Sequence, residues 1–282
     1  MTSNFLIEFG KYGERLVVTS SWSEDISQYI LAHNISELHL NYAKGWKGKD
    51  LSFLSALSHL KAFSIIDWTI DDISPVNNLH LLRSLEISTY CKSPINFEEF
   101  PYLEQCGLRW RAKAKSLFNQ KSLKTLFIDN YSEKDTSKFS NLTELESLSL
   151  ANSPTRSLQG LSDLYKLRFL GLYNLRKLES IAGIEFLINL EELEINGCSS
   201  LKSINEIAGL TQLKKLELCD NKDIDSLKPL EKLNKLESVV FYGSTNIIDG
   251  DLSSLIKLNQ ISNISFQDRP HYSHKKLNFV AK

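Results

Sequence analysis

The sequence predicts an α/β solenoid, a stack of short units that each contribute one β-strand and one 3₁₀ or helical turn. Leucine supplies 46 of the 282 residues, roughly 16 %, where it is ordinarily one of several common residues. No stretch approaches the ~18 consecutive apolar residues that a membrane span requires. The leucines instead recur at a fixed period, which is the signature of repeat architectures.

The first half of each unit follows the strand period. The pattern L-x-x-L-x-L, with Ile, Val, Phe or Cys allowed at the anchors, occurs eleven times. Alternation of anchors and other residues is typical of a strand with one buried face. The third anchors follow one another at steps of 20 to 25 residues and are Leu40, Ile65, Ile87, Leu108, Ile128, Leu150, Leu172, Ile195, Leu218, Phe241 and Phe266.

The second half of each unit carries apolar residues at every third position, a spacing that suits a 3₁₀ or helical turn. The seventh unit has Leu178, Ile181, Ile184 and Leu187, and the ninth has Ile224, Leu227, Leu230 and Leu233. A chain that alternates between these two periods must turn back in every unit. We therefore expect the strands to lie side by side and the turns to stack on the opposite side.

Units such as LEELEINGCSSLKSINEIAGLTQ and LKKLELCDNKDIDSLKPLEKLNK resemble the leucine-rich repeat family, and the resemblance extends from residue 35 to about 269. It implies a leucine-rich repeat horseshoe of about 11 units of 20–25 residues. Its parallel β-sheet would line the concave face, and short 3₁₀ or helical turns would form the convex face. The resemblance does not identify a partner.

The family usually has Asn at the ninth position of the motif, where the amide bonds neighbouring backbones. Asn221 fits this pattern, and Cys198, Ser153 and Ser244 are plausible substitutes. Earlier units have Trp68, Tyr90, Arg111 and Tyr131 at this position, which predicts irregular loops after the first strands. In the fourth unit the segment RWRAKAKSLFNQ has few apolar residues at the three-residue spacing. We expect a distortion or a basic protruding loop from Arg109 to Lys121.

The terminal units of a solenoid need caps over their apolar ends. We expect an N-terminal cap at residues 1–34, repeats at 35–269 and a C-terminal tail or cap at 270–282. Alternation in Phe5–Phe9 and Arg15–Thr19 predicts a hairpin. Ser23 can cap a following helix. The predicted helix face consists of Ile26, Tyr29 and Ile30.

Composition excludes several classes of protein. Lys plus Arg is 33 and Asp plus Glu is 34, so the net charge of −1 argues against a generally basic nucleic-acid binder. The four cysteines are widely spaced without a CxxC pair, which favours a reducing compartment over a disulfide scaffold or zinc site. Met1–Gly10 lacks the features of a signal peptide. We expect a cytoplasmic protein without a membrane or nucleic-acid partner.

No catalytic motif is recognisable. The sequence has no GxSxG, no P-loop, no GxGxxG after a strand and no HExxH. His271 and His274 do not have the i, i+4 spacing and further ligands of a helical zinc site. We therefore expect no catalytic residues, no cofactor and no metal, although an enzyme with a site around His271, Tyr272 and His274 stays an alternative.

Positions three, five and seven of each motif point away from the core, and position eight lies at the rim. These positions carry nine acidic residues against two basic ones, together with several aromatic rings. Exposed aromatic residues among charges are typical of protein-binding hot spots. The candidate partner-binding residues are Glu37, His39, Tyr42, Asp67, Glu86, Arg109, Trp110, Phe127, Asp129, Phe169, Tyr173, Glu192, Glu194, Lys215, Glu217, Asp220, Tyr242 and Asp268.

This composition favours a protein–protein interaction module that captures a basic protein and forms a 1:1 heterodimer from two monomers. The chain resembles stand-alone cytosolic leucine-rich repeat proteins of bacteria, which occur among toxin–immunity pairs. That resemblance implies an immunity protein that occludes a cognate toxin domain. The alternative is a regulatory adaptor that binds an endogenous signalling enzyme such as a phosphatase. The acidic residues could also serve only as a solvated face.

Overall fold

In the computed structural model, which describes residues 4–279, the motif of each of the eleven predicted repeats forms one short β-strand. Strands β3 to β11 occupy positions three to seven of the first nine motifs, and β13 and β15 occupy positions three to six of the last two. The strands are β1 Phe5–Phe9, β2 Glu14–Val18, β3 Glu37–Asn41, β4 Ala62–Ile66, β5 Ser84–Ser88, β6 Gln105–Arg109, β7 Thr125–Asp129, β8 Ser147–Ala151, β9 Phe169–Tyr173, β10 Glu192–Asn196, β11 Lys215–Cys219, β12 Asp223–Ile224, β13 Ser238–Phe241, β14 Asn246–Ile247 and β15 Asn263–Phe266.

The predicted three-residue ladders form 3₁₀ helices in the second halves of the first nine repeats. In the ninth repeat the N–H of Leu230 donates to Leu227 O at 3.0 Å, and the N–H of Leu233 donates to Leu230 O at 2.9 Å. These 3₁₀ helices are Ser52–Ala56, Ser74–Asn78, Phe97–Glu99, Ala112–Asn119, Ser137–Asn141, Gln159–Leu161, Ile184–Phe186, Asn205–Gly209 and Lys228–Lys232. Two further 3₁₀ helices are Tyr42–Lys44 and Lys276–Phe279, and the α-helices are α1 Glu24–Ala32 and α2 Ser253–Ile256.

The chain divides into two compact units, Met1–Leu126 and Phe127–Lys282, with the boundary inside β7. In the first unit β1 pairs antiparallel with β2, and β2 to β6 then pair in parallel. In the second unit β8, β9, β10, β11, β13 and β15 pair in parallel, and β12 pairs with β14. Each unit therefore has the strand-and-turn repeat that the sequence predicts.

The core of each unit is the stack of motif anchors. All eleven third anchors are at most 2 % exposed. Burial of a leucine or isoleucine side chain contributes roughly 1.5–3 kcal/mol, so the repeated anchors provide much of the driving force for stacking. This confirms the register of the repeats, because a shift of one residue would have placed the anchors in solvent.

Position eight adopts a left-handed backbone in six successive repeats of the second unit. The φ values of these residues lie between +54° and +73°. Asn, Asp and Gly tolerate this region better than other residues do. Their N–H groups can then reach the next repeat, as Asn174 N does to Asn196 O at 2.7 Å. The six residues are Asn130, Asn152, Asn174, Gly197, Asp220 and Gly243.

The predicted ninth-position contact is present at Asn221. This side chain is fully buried, accepts from Cys198 N at 2.8 Å and donates to Ile195 O at 2.5 Å. Ser153 is also buried, whereas the prediction for Ser244 is wrong. Strand β13 ends one position early. The inward position is taken by Thr245, the residue after Ser244, and its hydroxyl oxygen accepts from Asn221 N at 3.0 Å.

Of the two expectations for the fourth repeat, the distortion is present and the basic protruding loop is not. Arg111, Ala114, Leu117 and Gln120 are all buried and continue the three-residue ladder. Arg111 and Gln120 flank the 3₁₀ helix Ala112–Asn119, which bends at Ala114. The polar members of this ladder concealed the pattern in the sequence. Among the other unusual ninth-position residues, Tyr131 is buried, while Trp68 and Tyr90 are exposed.

The predicted hairpin and helix both form at the N-terminal end. Ile26 and Ile30 of α1 are buried, and Ser23 occupies the N-cap position. The prediction that Ser23 caps through its side chain is wrong, because its hydroxyl makes no capping hydrogen bond. Near the C-terminal end, Tyr272 is buried and Phe279 packs edge-on against Phe266. No helix within residues 4–279 is long and apolar enough to cross a membrane.

Candidate functional site

The densest group of predicted site residues lies on the outward face of β9, β10 and β11 in the second unit. Parallel pairing places equivalent motif positions of the three strands next to one another. We call the outward positions of β8 to β11, β13 and β15 the strand face. Its central rows are Phe169, Glu192 and Lys215, then Gly171, Glu194 and Glu217.

Glu194 and Glu217 are direct cross-strand neighbours, at the strand spacing of ~4.8 Å. Like charges directly opposite one another destabilise a sheet. Lys215 forms its ion pair with Glu192 at 2.8 Å, and its ammonium has a smaller coulombic interaction with Glu194. Among the described residues, Glu194 and Glu217 have no ion pair. The pair therefore presents negative charge that no described residue neutralises through a direct ion pair.

Neighbouring polar side chains fix the position of both carboxylates. Tyr173 donates its hydroxyl to Glu194 Oε2 at 2.5 Å, and Asn196 donates its amide to Glu217 Oε1 at 2.8 Å. Asn196 also accepts from Cys219 N at 3.0 Å. Sequence reasoning missed Asn196, although its place at position seven between two acidic strands was a usable signal. The carboxylates are thus held in place by side chains of the same sheet.

Tyr173 lies across the sheet because the residue beside it is glycine. A Cβ on Gly171 would come within 2.5 Å of the Tyr173 hydroxyl oxygen, so a larger residue would displace the ring. Burial raises the pKa of Tyr173, and the hydrogen bond to Glu194 and the charges of Glu194 and Glu217 raise it further. The phenol therefore stays protonated and remains a donor to Glu194.

Two further residues at the edge of the cluster have different surroundings. Asp220 is exposed, but its Oδ1 accepts from Ser244 N at 3.0 Å and so also supports the next loop. Burial raises the pKa of the Cys219 thiol to about 11, and nearby Glu217 and Asp220 add to this effect. Cys219 is therefore a neutral thiol at neutral pH, as expected for a residue without an activating cation.

A lysine of the same chain lies on the strand face at Tyr242. The Nζ of Lys276 is 3.2 Å from the Tyr242 hydroxyl oxygen and 5.8 Å from the centre of its ring. The Ser265 hydroxyl is also within 2.9 Å of the Tyr242 oxygen, and both contacts lower the pKa of Tyr242. Asp268 accepts from Lys276 N at 2.8 Å. This end of the face already holds an ammonium group against an aromatic ring.

Three predicted site residues of the first unit are buried, so their assignment to an exposed binding surface is wrong. Glu37 is 1 % exposed and forms an ion pair with Arg15 at 2.8 Å, because β2 covers this edge of β3. Asp67 is 3 % exposed and accepts from Thr69 N at 2.7 Å. Trp110 is 8 % exposed and packs against Phe118 at 5.5 Å between ring centres.

The remaining predicted residues are distributed over the two units. In the first unit Tyr42 and Glu86 are exposed, and Arg109 lies 5.0 Å from the ring centre of Tyr90. His39 is half-buried, and burial lowers its pKa, with Lys44 adding to the effect. In the second unit Phe127 is exposed, Phe169 is half-buried, and Asp129 accepts from Asn152 at 2.8 Å.

The two C-terminal histidines have structural hydrogen bonds. His271 Nε2 lies 2.9 Å from Ile247 O, and His274 Nδ1 lies 2.9 Å from Ser273 Oγ. The Tyr272 hydroxyl accepts from Ile247 N at 3.1 Å. Within residues 4–279, no group of three or more His, Cys, Asp or Glu side chains is arranged to hold a metal ion.

Solved structures with this architecture are leucine-rich repeat proteins. An internalin from Listeria monocytogenes is 19 % identical, with 91 % of this chain and 83 % of that chain covered and a TM-score of 0.70. A leucine-rich repeat protein from Leptospira interrogans is 15 % identical, with 90 % and 77 % covered and a TM-score of 0.54. The Arabidopsis receptor kinase HAESA, solved with the peptide hormone IDA and the co-receptor SERK1, is 18 % identical, with 78 % and 44 % covered and a TM-score of 0.57.

These likenesses, together with the repeat register, establish that the chain has the leucine-rich repeat fold. No protein-family model matches the sequence, and no curated protein sequence matches it.

Proposed function

We propose that the chain is a non-enzymatic protein-interaction module whose strand face in the second unit binds a basic protein. The observation that carries this proposal is the in-register pair Glu194 and Glu217, which is held in place by Tyr173 and Asn196 and forms no ion pair with another described residue. Its repulsion opposes folding in the free protein. A lysine or arginine of a partner would relieve that repulsion, so the cost is recovered on binding.

A tight interface needs apolar contact area as well as complementary charge, and the aromatic residues of the strand face can supply that area. Tyr173 lies over Gly171 and donates to Glu194, and Tyr242 lies towards the C-terminal end of the same face. Buried rings contribute most of the free energy at binding hot spots, whereas charges set the rate and orientation of encounter. The contact of Lys276 with Tyr242 supports a basic partner, because it places an ammonium group on this face within the chain itself.

The specific function we propose is that of an immunity protein, which neutralises a toxin by covering its active site. Occlusion needs no catalysis, and an acidic surface accelerates the capture of a basic toxin domain. We propose a cytoplasmic monomer that forms a 1:1 complex, and the four cysteines, all free thiols, agree with a reducing compartment. The acidic face disfavours nucleic acid, whose phosphates would be repelled.

The alternative function is a regulatory adaptor that binds an endogenous signalling enzyme such as a phosphatase. It would use the same face, so the two functions differ only in the partner. The structure of HAESA was solved as a complex with a peptide hormone and a co-receptor, so that protein has both a peptide and a protein partner. A toxin gene next to the gene for this chain would favour the immunity function.

Affinity capture followed by mass spectrometry tests the proposal. The full chain is used as bait in a lysate of its native host, and captured proteins are then expressed in cells that lack the chain. The immunity function predicts one basic partner that is toxic alone and harmless when co-expressed. A non-toxic endogenous enzyme would support the adaptor, and the absence of any basic partner would contradict both functions.

A further inference from the structure

The sheet of the first unit has an open outer edge at β1. This strand pairs with β2 on one side, and none of residues 4–279 forms a strand on its other side. Two hydrogen bonds, one at each end of the hairpin, show which residues of β1 face β2. Gly10 N donates to Gly13 O at 2.9 Å, and Thr19 N donates to Asn4 O at 3.0 Å.

These two bonds fix the direction of the backbone groups along the whole strand. In an antiparallel pair, residues that are hydrogen-bonded to the partner strand alternate with residues that are not. Leu6 and Glu8 therefore direct their N–H and C=O groups to β2. The N–H and C=O groups of Phe5, Ile7 and Phe9 point to the open edge, where a further strand could pair with them.

The side chains at this edge are apolar and incompletely covered. Phe5 packs against Tyr29 of α1 at 4.6 Å between ring centres. Farther along the strand, Ile7 is 39 % exposed and Phe9 is 96 % exposed, and Leu6 is exposed on the opposite face. Helix α1 thus covers one end of β1 and leaves the other end in solvent.

Folded proteins ordinarily protect an edge strand with lysine, proline, a bulge or a covering segment. The sequence of β1, FLIEF, has neither lysine nor proline, and its one charged residue, Glu8, forms an ion pair with Lys44 at 3.0 Å. In the second unit the last strand, β15, does have a covering segment, because Phe279 packs edge-on against Phe266. The edge of β1 therefore has the properties of a strand-pairing interface.

We propose that β1 pairs with β1 of a second copy of this chain, antiparallel and about a two-fold axis at Ile7. In this register Ile7 lies opposite Ile7 of the second copy, and Phe9 lies opposite Phe5. These are the residues whose backbone groups point to the edge, so each pair exchanges hydrogen bonds between the copies. The two-stranded edge becomes a continuous sheet across the dimer.

The strand is complementary to itself, which favours a second copy over an unrelated strand. An interface with two-fold symmetry must bring each residue against a compatible residue of the same surface. Phe5 and Phe9 form aromatic pairs across the axis, and Ile7 packs on its own copy, as favourable cross-strand pairs do. Leu6 lies opposite Glu8, so no two charges of the same sign lie directly opposite one another.

The small size of this interface predicts a weak dimer. A standard interface buries about 800 Å² on each partner, and one short strand edge provides less than that. We expect a dissociation constant of roughly 10–100 µM, so that the chain is a monomer at low concentration. The pairing uses no residue of the second unit, and it is independent of the function proposed above.

Sedimentation equilibrium of the full chain from about 2 to about 300 µM tests the pairing. We expect a reversible change from monomer to dimer. Ile7→Pro removes an outward N–H group but no hydrogen bond to β2, and Phe9→Lys places a charge on the edge. Each variant should weaken the dimer at least ~10-fold. Phe186→Lys is the control, because Phe186 is an exposed phenylalanine of the second unit, and it should leave the dimer unchanged.

Hydrogen exchange of the wild-type chain tests the register. The amide of Ile7 should exchange at least ~3-fold more slowly at the highest concentration than at the lowest. The amide of Leu6, which faces β2, should exchange at the same rate at both concentrations. A chain that stays monomeric, an open-ended assembly, or a dimer that persists in Phe9→Lys would overturn the proposal. Because neither measurement includes a basic partner, failure here is distinct from failure of the proposed function.

Discussion

Leu193 represents the buried anchors at the scale of a single residue. It is fully buried on β10, where its neighbours in register are Leu170 and Leu216. Truncation removes apolar burial and leaves a cavity between two repeats. We expect Leu193→Ala to lower the free energy of unfolding by roughly 2–5 kcal/mol, measured by urea denaturation.

Leu81 provides the control for this substitution, because it is an exposed leucine of the first unit. Leu81→Ala should change stability by less than about 0.5 kcal/mol. A loss below about 1 kcal/mol for Leu193→Ala would refute the register that places it between its neighbours.

The hydrogen bond between Tyr173 and Glu194 has a consequence for pH. Burial and the Glu194 carboxylate raise the pKa of Tyr173, since a nearby negative charge disfavours the tyrosinate. We expect Tyr173 to ionise above the ordinary tyrosine value of about 10, and Glu194→Gln to lower its pKa. Titration followed by NMR of ¹³C-labelled tyrosine measures this directly. Glu192→Gln is the control, because Glu192 pairs with Lys215, and an equal effect of both variants would contradict the contact.

The sequence predicts which residues of the motif face outward, but not which of them are covered by other segments. Glu37 fulfils the pattern, yet the hairpin before it buries the carboxylate against Arg15. Asp67 and Trp110 occupy rim positions whose side chains turn into the loops. The motif period carries no information about such contacts between a repeat and its surroundings. The Glu194 and Glu217 pair was predictable because both lie at position five of adjacent, regular repeats.

At the scale of the element, some loops of the second unit depend on an inward polar residue, as at Ser153, Asn221 and Thr245. Asn221 is the clearest case, since its amide satisfies Cys198 N and Ile195 O in a fully buried site. Asn221→Ala would leave both backbone groups without a partner. We expect a loss of roughly 2–4 kcal/mol in the free energy of unfolding, measured by urea denaturation.

Asn234→Ala is the matched control for Asn221→Ala, because Asn234 is exposed. It should leave the urea midpoint almost unchanged. Equal effects of the two substitutions would show that the buried amide does not stabilise the loop.

Regular elements were predictable and irregular ones were not, for identifiable reasons. The strands follow from anchors that alternate, and the 3₁₀ helices follow from apolar residues at every third position. In the fourth repeat the same ladder contains Arg111 and Gln120, so hydrophobicity alone does not reveal it. In the tenth repeat β13 is one residue shorter, which moves the inward position from Ser244 to Thr245. Both differences depend on contacts with neighbouring repeats.

At the scale of the whole molecule, the repeats separate charges that nearly cancel in the sequence. The chain carries 33 basic and 34 acidic residues, yet the centre of the strand face in the second unit holds an acidic pair that forms no ion pair with another described residue. Stacked repeats place equivalent positions in rows, so a few substitutions at one motif position create a charged surface. Such a surface can serve recognition without a change in the core.

The most direct test of the proposed binding surface is the affinity of charge-reversed variants for the captured basic partner. We expect Glu194→Lys with Glu217→Lys to reduce affinity by more than ~100-fold while the protein remains folded. Asp163→Lys with Asp225→Lys changes the net charge equally at exposed positions away from the strand face, and should change affinity by less than ~3-fold. Wild-type association should slow as salt rises. Unchanged affinity of the strand-face variant, or equal losses in both double variants, would contradict binding at this face.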